Sequence, residues 1–399
     1  MKEKVLLIIS MVMGLSGCGV NPTGLVVPTI TIQESNQTIT LKPTDTRIPP
    51  TAAATEANFT PTPVTTQKFA IPYELYWLQD FFLLDGNTGY TVGNKGSHAD
   101  TYPVIMMTSD AGATWVDQYP GFAIGTLNTV IFTDDSTGYI GGQDWTGSKP
   151  IILRTENNGL VWNRMDLSDI PAMIHEIYFS PGGIGWSVGF HENGGSLMQR
   201  SSDGIAWIKQ DHSPHEIASL FGITFPSNKI GYAIGTQGRD NPPKPYVIKS
   251  TDAGETWSEL DVPLKGAFLY DVFFLDDLNG VIVGGFSGND GVILVTGDGG
   301  ESWKLTRIKG SSVYFNSIIL YRSLLLVFGN DCGNLGCNAL VLASDDSGES
   351  WQEILRLEGK INAIGTDQTS QGPLAFALYR EDEAHIMMTH LDYFKLQGD

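Results

Sequence analysis

Positive charge is the scarcest resource in this chain. Its 399 residues carry 24 Lys and Arg against 44 Asp and Glu, a formal net charge of −20. A nucleic-acid surface needs a basic face, so this balance argues against that partner, and equally against adhesion through anionic lipid. Charged residues of either sign make up only 17% of the chain, while glycine is abundant at 46 residues. That combination suits a turn-rich all-β domain. No segment sustains a helical apolar period. One apolar run, from Val5 to Leu15, is too short to span a bilayer permanently, and no later segment is long and apolar enough to cross one.

What the chain does have is repetition. Ser250-Thr-Asp252-Ala-Gly254-Glu-Thr-Trp257 reads Ser/Thr-x-Asp-x-Gly-x-x-Trp, and Thr108 to Trp115, Thr296 to Trp303 and Ser344 to Trp351 match it throughout, with acids at Asp110, Asp298 and Asp346. Thr155 to Trp162 keeps the pattern with Asn157 in the acid position, and Ser201 to Trp207 is a shortened copy with Asp203. Successive tryptophans fall 45 to 50 residues apart. A period of that size marks stacked supersecondary units, a solenoid or a propeller.

A second repeat precedes each signature. Gly89-Tyr-Thr-Val-Gly93 is echoed by Gly138-Tyr-Ile-Gly-Gly142, Gly185-Trp-Ser-Val-Gly189, Gly231-Tyr-Ala-Ile-Gly235 and Gly280-Val-Ile-Val-Gly284. Short β-branched and aromatic runs bounded by Gly, Asn, Asp and Ser read as strands and turns. Four antiparallel strands per unit is the blade of a β-propeller. Division of residues 70–399 by the repeat length predicts an all-β, seven-bladed propeller, six blades carrying the signature and an atypical last one closing the array.

The signature resembles the Asp-box, or BNR repeat, of sialidase-like propellers, and its pairing with the Gly-Tyr-x-Val-Gly strand is closest to the photosystem II assembly-factor type. In that family the box forms the turn between the third and fourth strands, its acid accepting backbone hydrogen bonds and its tryptophan packing between strands. The resemblance implies structural roles for Asp110, Asn157, Asp203, Asp252, Asp298 and Asp346 and for Trp115, Trp162, Trp207, Trp257, Trp303 and Trp351. A calcium reading of the Asp-Gly-Gly turn lacks the further oxygen ligands that ion needs, so neither metal nor cofactor is expected.

The first residues read as a secretory signal: Met1-Lys-Glu-Lys4, the apolar stretch, then Leu15-Ser-Gly-Cys18. Leu-Ser-Gly-Cys resembles the bacterial lipobox, which implies a mature chain beginning at a lipidated Cys18; an ordinary signal with an incidental cysteine is the competing reading. Residues 1–17 are then signal peptide, 18–69 a Thr/Pro-rich linker too poor in apolar residues to fold, and 70–399 the propeller. This predicts an extracytoplasmic domain held to the bacterial cell membrane by the Cys18 lipid alone. In an oxidising compartment Cys332 and Cys337, which enclose a four-residue Gly-rich loop, pair naturally as a disulfide. A metal site is the rival.

Function is sought at the channel mouth. Aligned units place Asp80, Thr129, Glu176, Gly222, Asp271, Ser317 and Asn362 in one column, expected at the start of the inner strands. Asp80, Glu176 and Asp271 would then form a carboxylate ring, with Tyr102, Trp145, His191 and Arg239 on neighbouring loops as further ligand candidates; a merely solvated ring is the competing reading. Two functions are weighed. One is a monomeric, non-catalytic scaffold binding protein or glycan at this face, with no catalytic residue. The other is a sialidase-like or xyloglucanase-like glycoside hydrolase using rim carboxylates. The sialidase departure is specific, because Arg47-Ile48-Pro49 lies in the linker and Arg239 is the only arginine mapped to the rim.

If Cys18 is the acylated residue, a fatty-acid analogue fed to expressing cells will label the wild-type chain and leave Cys18→Ala unlabelled. Label on the Ala variant refutes the lipobox reading.

Overall fold

The computed structural model describes residues 67–70, 75–97, 100–121, 124–144, 149–165, 167, 172–191, 195–210, 218–238, 244–287, 290–333, 336–366, 374–379 and 384–389. Cys18 and the expected signal peptide lie outside them. Every regular element among these residues is a strand, 28 in all, gathered into four-stranded antiparallel sheets.

Six sheets are blades spun from one contiguous stretch each: 75–117, 124–164, 172–209, 218–259, 267–308 and 313–358. Within a blade the strands pair in chain order, inner to outer. The inner strands, from Leu75–Leu83 through Val313–Tyr321, pack in succession around a central channel. Outer strands are cut short: in the first four blades they are two residues long (Val116–Asp117, Asn163–Arg164, Ile208–Lys209, Ser258–Glu259), which leaves little exposed edge for another chain to pair with.

The expectation of a seven-bladed propeller is corrected by the remaining sheet. It is not a seventh repeat but a composite of Lys360–Thr366, Leu374–Tyr379 and Ala384–Thr389 with Gln67–Ala70 as its outer strand. The array therefore holds six contiguous blades, and the last gap is filled by joining the two ends of the chain. Lys360–Thr366 packs against Leu75–Leu83 on one side and the sixth blade on the other, so the circle is shut. Strand Gln67–Ala70 straddles the expected boundary between linker (18–69) and propeller (70–399).

One aromatic cluster recurs between blades. In the first pair of blades Tyr90 of the Gly-Tyr strand packs on Phe132 of the next inner strand, and Trp162 of the following signature meets both edge-on, at ring-centroid separations of 4.6, 6.3 and 5.9 Å. Tyr139, Phe179 and Trp207 repeat it, as do Trp186, Phe225 and Trp257. The second position of the Gly-Tyr motif thus belongs energetically to the blade ahead. The motif's last glycine has a different cause. A Cβ on Gly235 would collide with the Ser219 carbonyl, because the two strands approach closely beside a bulge in the inner strand.

The signature turns are built alike. Ser250 Oγ donates to Asp252 Oδ1 (2.8 Å) and accepts from the Gly254 N–H (2.8 Å); Asp252 then accepts the Thr256 N–H on Oδ1 (2.9 Å) and its hydroxyl on Oδ2 (2.6 Å). Where the fourth residue after the acid has no hydroxyl, as at Val161, Asn157 suffices and its one oxygen receives the Val161 N–H. These bonds hold the acids below the ordinary carboxylate range, Asp298 at about 2 chiefly through the Ser302 hydroxyl and N–H. Two successive residues are left-handed, for example Ala253 and Gly254 at φ 63° and 80°. Gly254 cannot be replaced even by a residue that tolerates that angle, since its Cβ would overlap the Trp186 ring of the preceding blade.

Cys332 and Cys337 face each other across adjacent strands of the sixth blade and are bonded, with Cα atoms 4.0 Å apart.

Trp162 is 2% exposed and Trp77 is 45% exposed. Truncating a core aromatic costs about 3–5 kcal/mol, whereas a surface change costs less than about 1 kcal/mol. Denaturant melts should therefore show Trp162→Ala far below wild type and Trp77→Ala close to it. Equal losses would contradict this assignment of the core.

Candidate functional site

The aligned column does form a ring, but in the middle of the inner strands rather than at their start. Asp80, Thr129, Glu176, Gly222, Asp271 and Ser317 each follow a β-bulge, where the pairing skips Gln79, Asn128, His175, Phe221, Tyr270 and Asn316 in turn. The inner strand's channel edge has no fifth strand to pair with, so its backbone N–H groups need other acceptors.

The three carboxylates supply them. Asp80 accepts the N–H of its own neighbour Phe81 on one oxygen and that of Val130, in the next blade, on the other, both at 2.8 Å. Asp271 does the same with Val272 (2.7 Å) and Ile318 (2.8 Å). Glu176 Oε2 accepts from Ile223 of the fourth blade at 2.8 Å. Each acid therefore bridges two blades, at the boundaries after the first, third and fifth. Asparagines serve the gaps beyond the second and sixth: Asn128 Nδ2 donates to the Ile174 carbonyl (2.7 Å) and Asn316 Nδ2 to that of Ile361 (3.1 Å).

Burial in the narrow ring pushes the Asp80 carboxyl up to about 7; the N–H groups of Val130 and Phe81 and the Thr129 side chain pull it back, and the charge of Asp271 adds to the rise. An acid near neutrality in a channel is a recognised mark of a functional site. Here both of its oxygens, and both of Asp271, are already engaged by backbone donors.

The bulge residues form a second layer that sequence alignment passed over. His175 meets Phe221 edge-on at 4.9 Å, Phe221 meets Tyr270 at 6.0 Å, and Tyr270 lies 6.4 Å from Tyr314. Burial drops the His175 imidazole to about 4, so it is neutral near pH 7. The signal was available one position before the acid column, but a bulge is invisible to a period-2 reading. Of the expected rim residues, Tyr102 is exposed on strand Asp100–Thr108, opposite Lys95. His191 ends strand Gly185–His191, and Trp145 and Arg239 lie outside the described residues. Exposed Trp77, on the first inner strand, was missed. No group of three or more metal-ligating side chains occurs among the described residues.

Residues 249–384 match the family model described as the photosynthesis system II assembly factor YCF48. The photosystem II assembly lipoprotein Ycf48 of Synechococcus sp. (strain CC9902) is 22% identical over 56% of this chain and 74% of its own length. Among solved structures, the GH74 xyloglucanase from Xanthomonas campestris superposes with a TM-score of 0.58 at 13% identity, covering 80% of this chain and 54% of that one. A polysaccharide lyase of family PL25, an ulvan lyase, gives a TM-score of 0.56 at 10% identity, over 80% of this chain and 93% of that one. This chain spans about half the length of the xyloglucanase, and likeness at these identities shows the fold alone. The chain is a BNR-repeat propeller related to the photosystem II assembly factor.

Burial favours the neutral form of Asp80 in the folded ring but not in the unfolded chain. Its stabilising contribution is full below about pH 4 and is lost as pH rises through about 7. Unfolding free energy of the wild type minus that of Asp80→Asn should therefore shrink from pH 4 to pH 8. A difference that stays flat would show that Asp80 ionises normally.

Proposed function

We propose that this chain is a non-catalytic binding propeller, an assembly-factor-like scaffold displayed outside the cytoplasm on a lipid attached to Cys18. The observation that carries the reading is the engagement of the channel carboxylates. Glycoside hydrolysis needs one carboxyl free to protonate a leaving group and a second free to attack or to activate water. Asp80 and Asp271 each spend both oxygens on backbone N–H groups of two blades, so using either as a catalyst would loosen the ring. The similarity of residues 249–384 to an assembly factor supports the scaffold reading, and the name of the Synechococcus relative, a lipoprotein, supports the anchor.

The mouth of the channel is the proposed ligand face, through exposed Trp77 and Tyr102 rather than through the carboxylates. Trp145, His191 and Arg239 are proposed to add contacts from the loops of the same rim. An amphipathic aromatic ring offers area at low entropic cost, which suits either a peptide or a sugar.

Two measurements test this. Xyloglucan, ulvan and sialyllactose incubated with the full chain should yield no new reducing ends and no unsaturated product. Turnover that disappears in Asp271→Asn, while the thermal midpoint of that variant stays within a few degrees of wild type, would establish the hydrolase instead. On glycan and peptide arrays, Trp77→Ala/Tyr102→Ala should lose whatever the wild type retains.

A further inference from the structure

The two residues between the glycine and the tryptophan of each signature project from the rim opposite the channel mouth, and they divide that rim in half. In the first three blades they are Ala113-Thr114, Leu160-Val161 and Ile205-Ala206; in the next three they are Glu255-Thr256, Glu301-Ser302 and Glu349-Ser350. All are exposed, Leu160 to 76%, Val161 to 52% and Ile205 to 51%. Val116 and Ile208, each just after a signature tryptophan, add 58% and 65% exposure on the same side. Five of the eight large apolar residues exposed among the described residues therefore fall on these three turns and the short strands that follow them.

The turns are neighbours, not scattered points. The second signature turn is seated on the first blade, where the Tyr90 hydroxyl donates to the Asn158 carbonyl at 2.7 Å. A Cβ on its Gly159 would also come within 2.9 Å of Gln118, two residues beyond Val116. The third turn closes on Tyr139 of the second blade through Trp207. Nothing in the turn demands these side chains, because the same turn folds in the later blades with glutamate at the first position. Isolated surface apolar residues need no explanation, but five gathered on one rim of three successive blades call for one.

We infer that the signature-turn rim of the first three blades is a docking surface for a partner protein that presents an apolar stripe flanked by Lys or Arg. Charge decides among the possible occupants. The chain carries −20, and the adjoining half of the rim offers Glu255, Glu301 and Glu349. Arg200 pairs with Glu255, and Lys304 pairs with Glu349 at 2.6 Å, but the exposed signature acids Asp252, Asp298 and Asp346 on the same turns keep that half of the rim acidic. A second copy would bring the same charge against itself, and an anionic bilayer would be repelled. A basic, amphipathic segment satisfies both halves at once, its apolar face on Leu160, Ile205 and Ile208 and its cations toward the glutamates. This surface lies on the face opposite the proposed ligand mouth and does not depend on it.

The repeat supplies its own control, because Leu160→Glu/Ile205→Glu installs the residue that the later blades already carry. The probe is a synthetic helical peptide of Leu and Lys in amphipathic register, titrated into the full chain with methyl NMR as the readout. Expected are shifts concentrated on the Leu160, Val161, Ile205 and Ile208 methyls. In the double variant the affinity should fall at least tenfold, the equivalent of about 1.4 kcal/mol, with an unchanged thermal midpoint. The Trp77→Ala/Tyr102→Ala variant should bind the peptide as wild type does, so failure of the mouth and failure of this rim are separable. Three outcomes would overturn the inference. One is peptide binding that is unchanged in the double variant. Another is concentration-dependent dimerisation that the double variant abolishes, which would make the occupant a second copy. The third is sedimentation with phosphatidylcholine vesicles that the double variant abolishes, which would make it a bilayer.

Discussion

A carboxylate has two oxygens, and this ring depends on both. Face-to-face blades pack their sheets well but leave the innermost strands with a row of N–H groups that no neighbour strand can receive. Asp80 and Asp271 each reach one donor in their own blade and one in the next, and Glu176 reaches across a third boundary. A hydroxyl or amide in the same place offers a single acceptor oxygen, which could not be divided between the two blades as the carboxyl oxygens are. The opposing cost is that the acids stand around one narrow channel and are desolvated together, and the raised Asp80 carboxyl records that cost. Alternation between acid-bearing and acid-free blades is the compromise: half as many charges, with every boundary they serve still bridged.

Toward the rim the linkage between blades passes from charge to aromatic packing. The tyrosine or tryptophan of one Gly-Tyr strand, the phenylalanine ending the next inner strand and the tryptophan of the next signature form one unit that neither blade owns. The turn glycine is pinned beneath it, so the signature is conditioned by the preceding blade as much as by its own turn. The second blade, excised from the array, would keep two rings of one cluster, Phe132 and Trp162, and one of the next, Tyr139.

Much of this was legible in the residues. The spacing of Trp115 through Trp351 gave the unit, the Gly-Tyr strands gave its second strand, and the alternation of Asp80, Glu176 and Asp271 was visible in the aligned column. Their role was not, because a carboxylate at a strand's exposed end and one at a bulge in mid-strand look alike in sequence. Displacement of one residue at each bulge hid the layer of His175, Phe221 and Tyr270 for the same reason. Counting the closing sheet as one more repeat failed because its four strands carry no signature and one of them, Gln67–Ala70, is contributed by the far end of the chain. Proline- and threonine-rich flanking residues made that strand read as linker. The Cys332–Cys337 pairing, by contrast, needed only the short Gly-rich loop between two strands.

That outer strand has a mechanical consequence. Under the proposed Cys18 anchor, tension would enter the described sheet at Gln67, on a strand of four residues whose one partner among the described residues is Ala384–Thr389. The load therefore falls first on a brief hydrogen-bonded seam at the edge of the composite sheet and not on the carboxylate-bridged ring. Such a seam can peel and re-form while the inner strand Lys360–Thr366 stays packed between its neighbours. A pull on Gln67 would therefore be met by this seam before the carboxylate-bridged ring is strained.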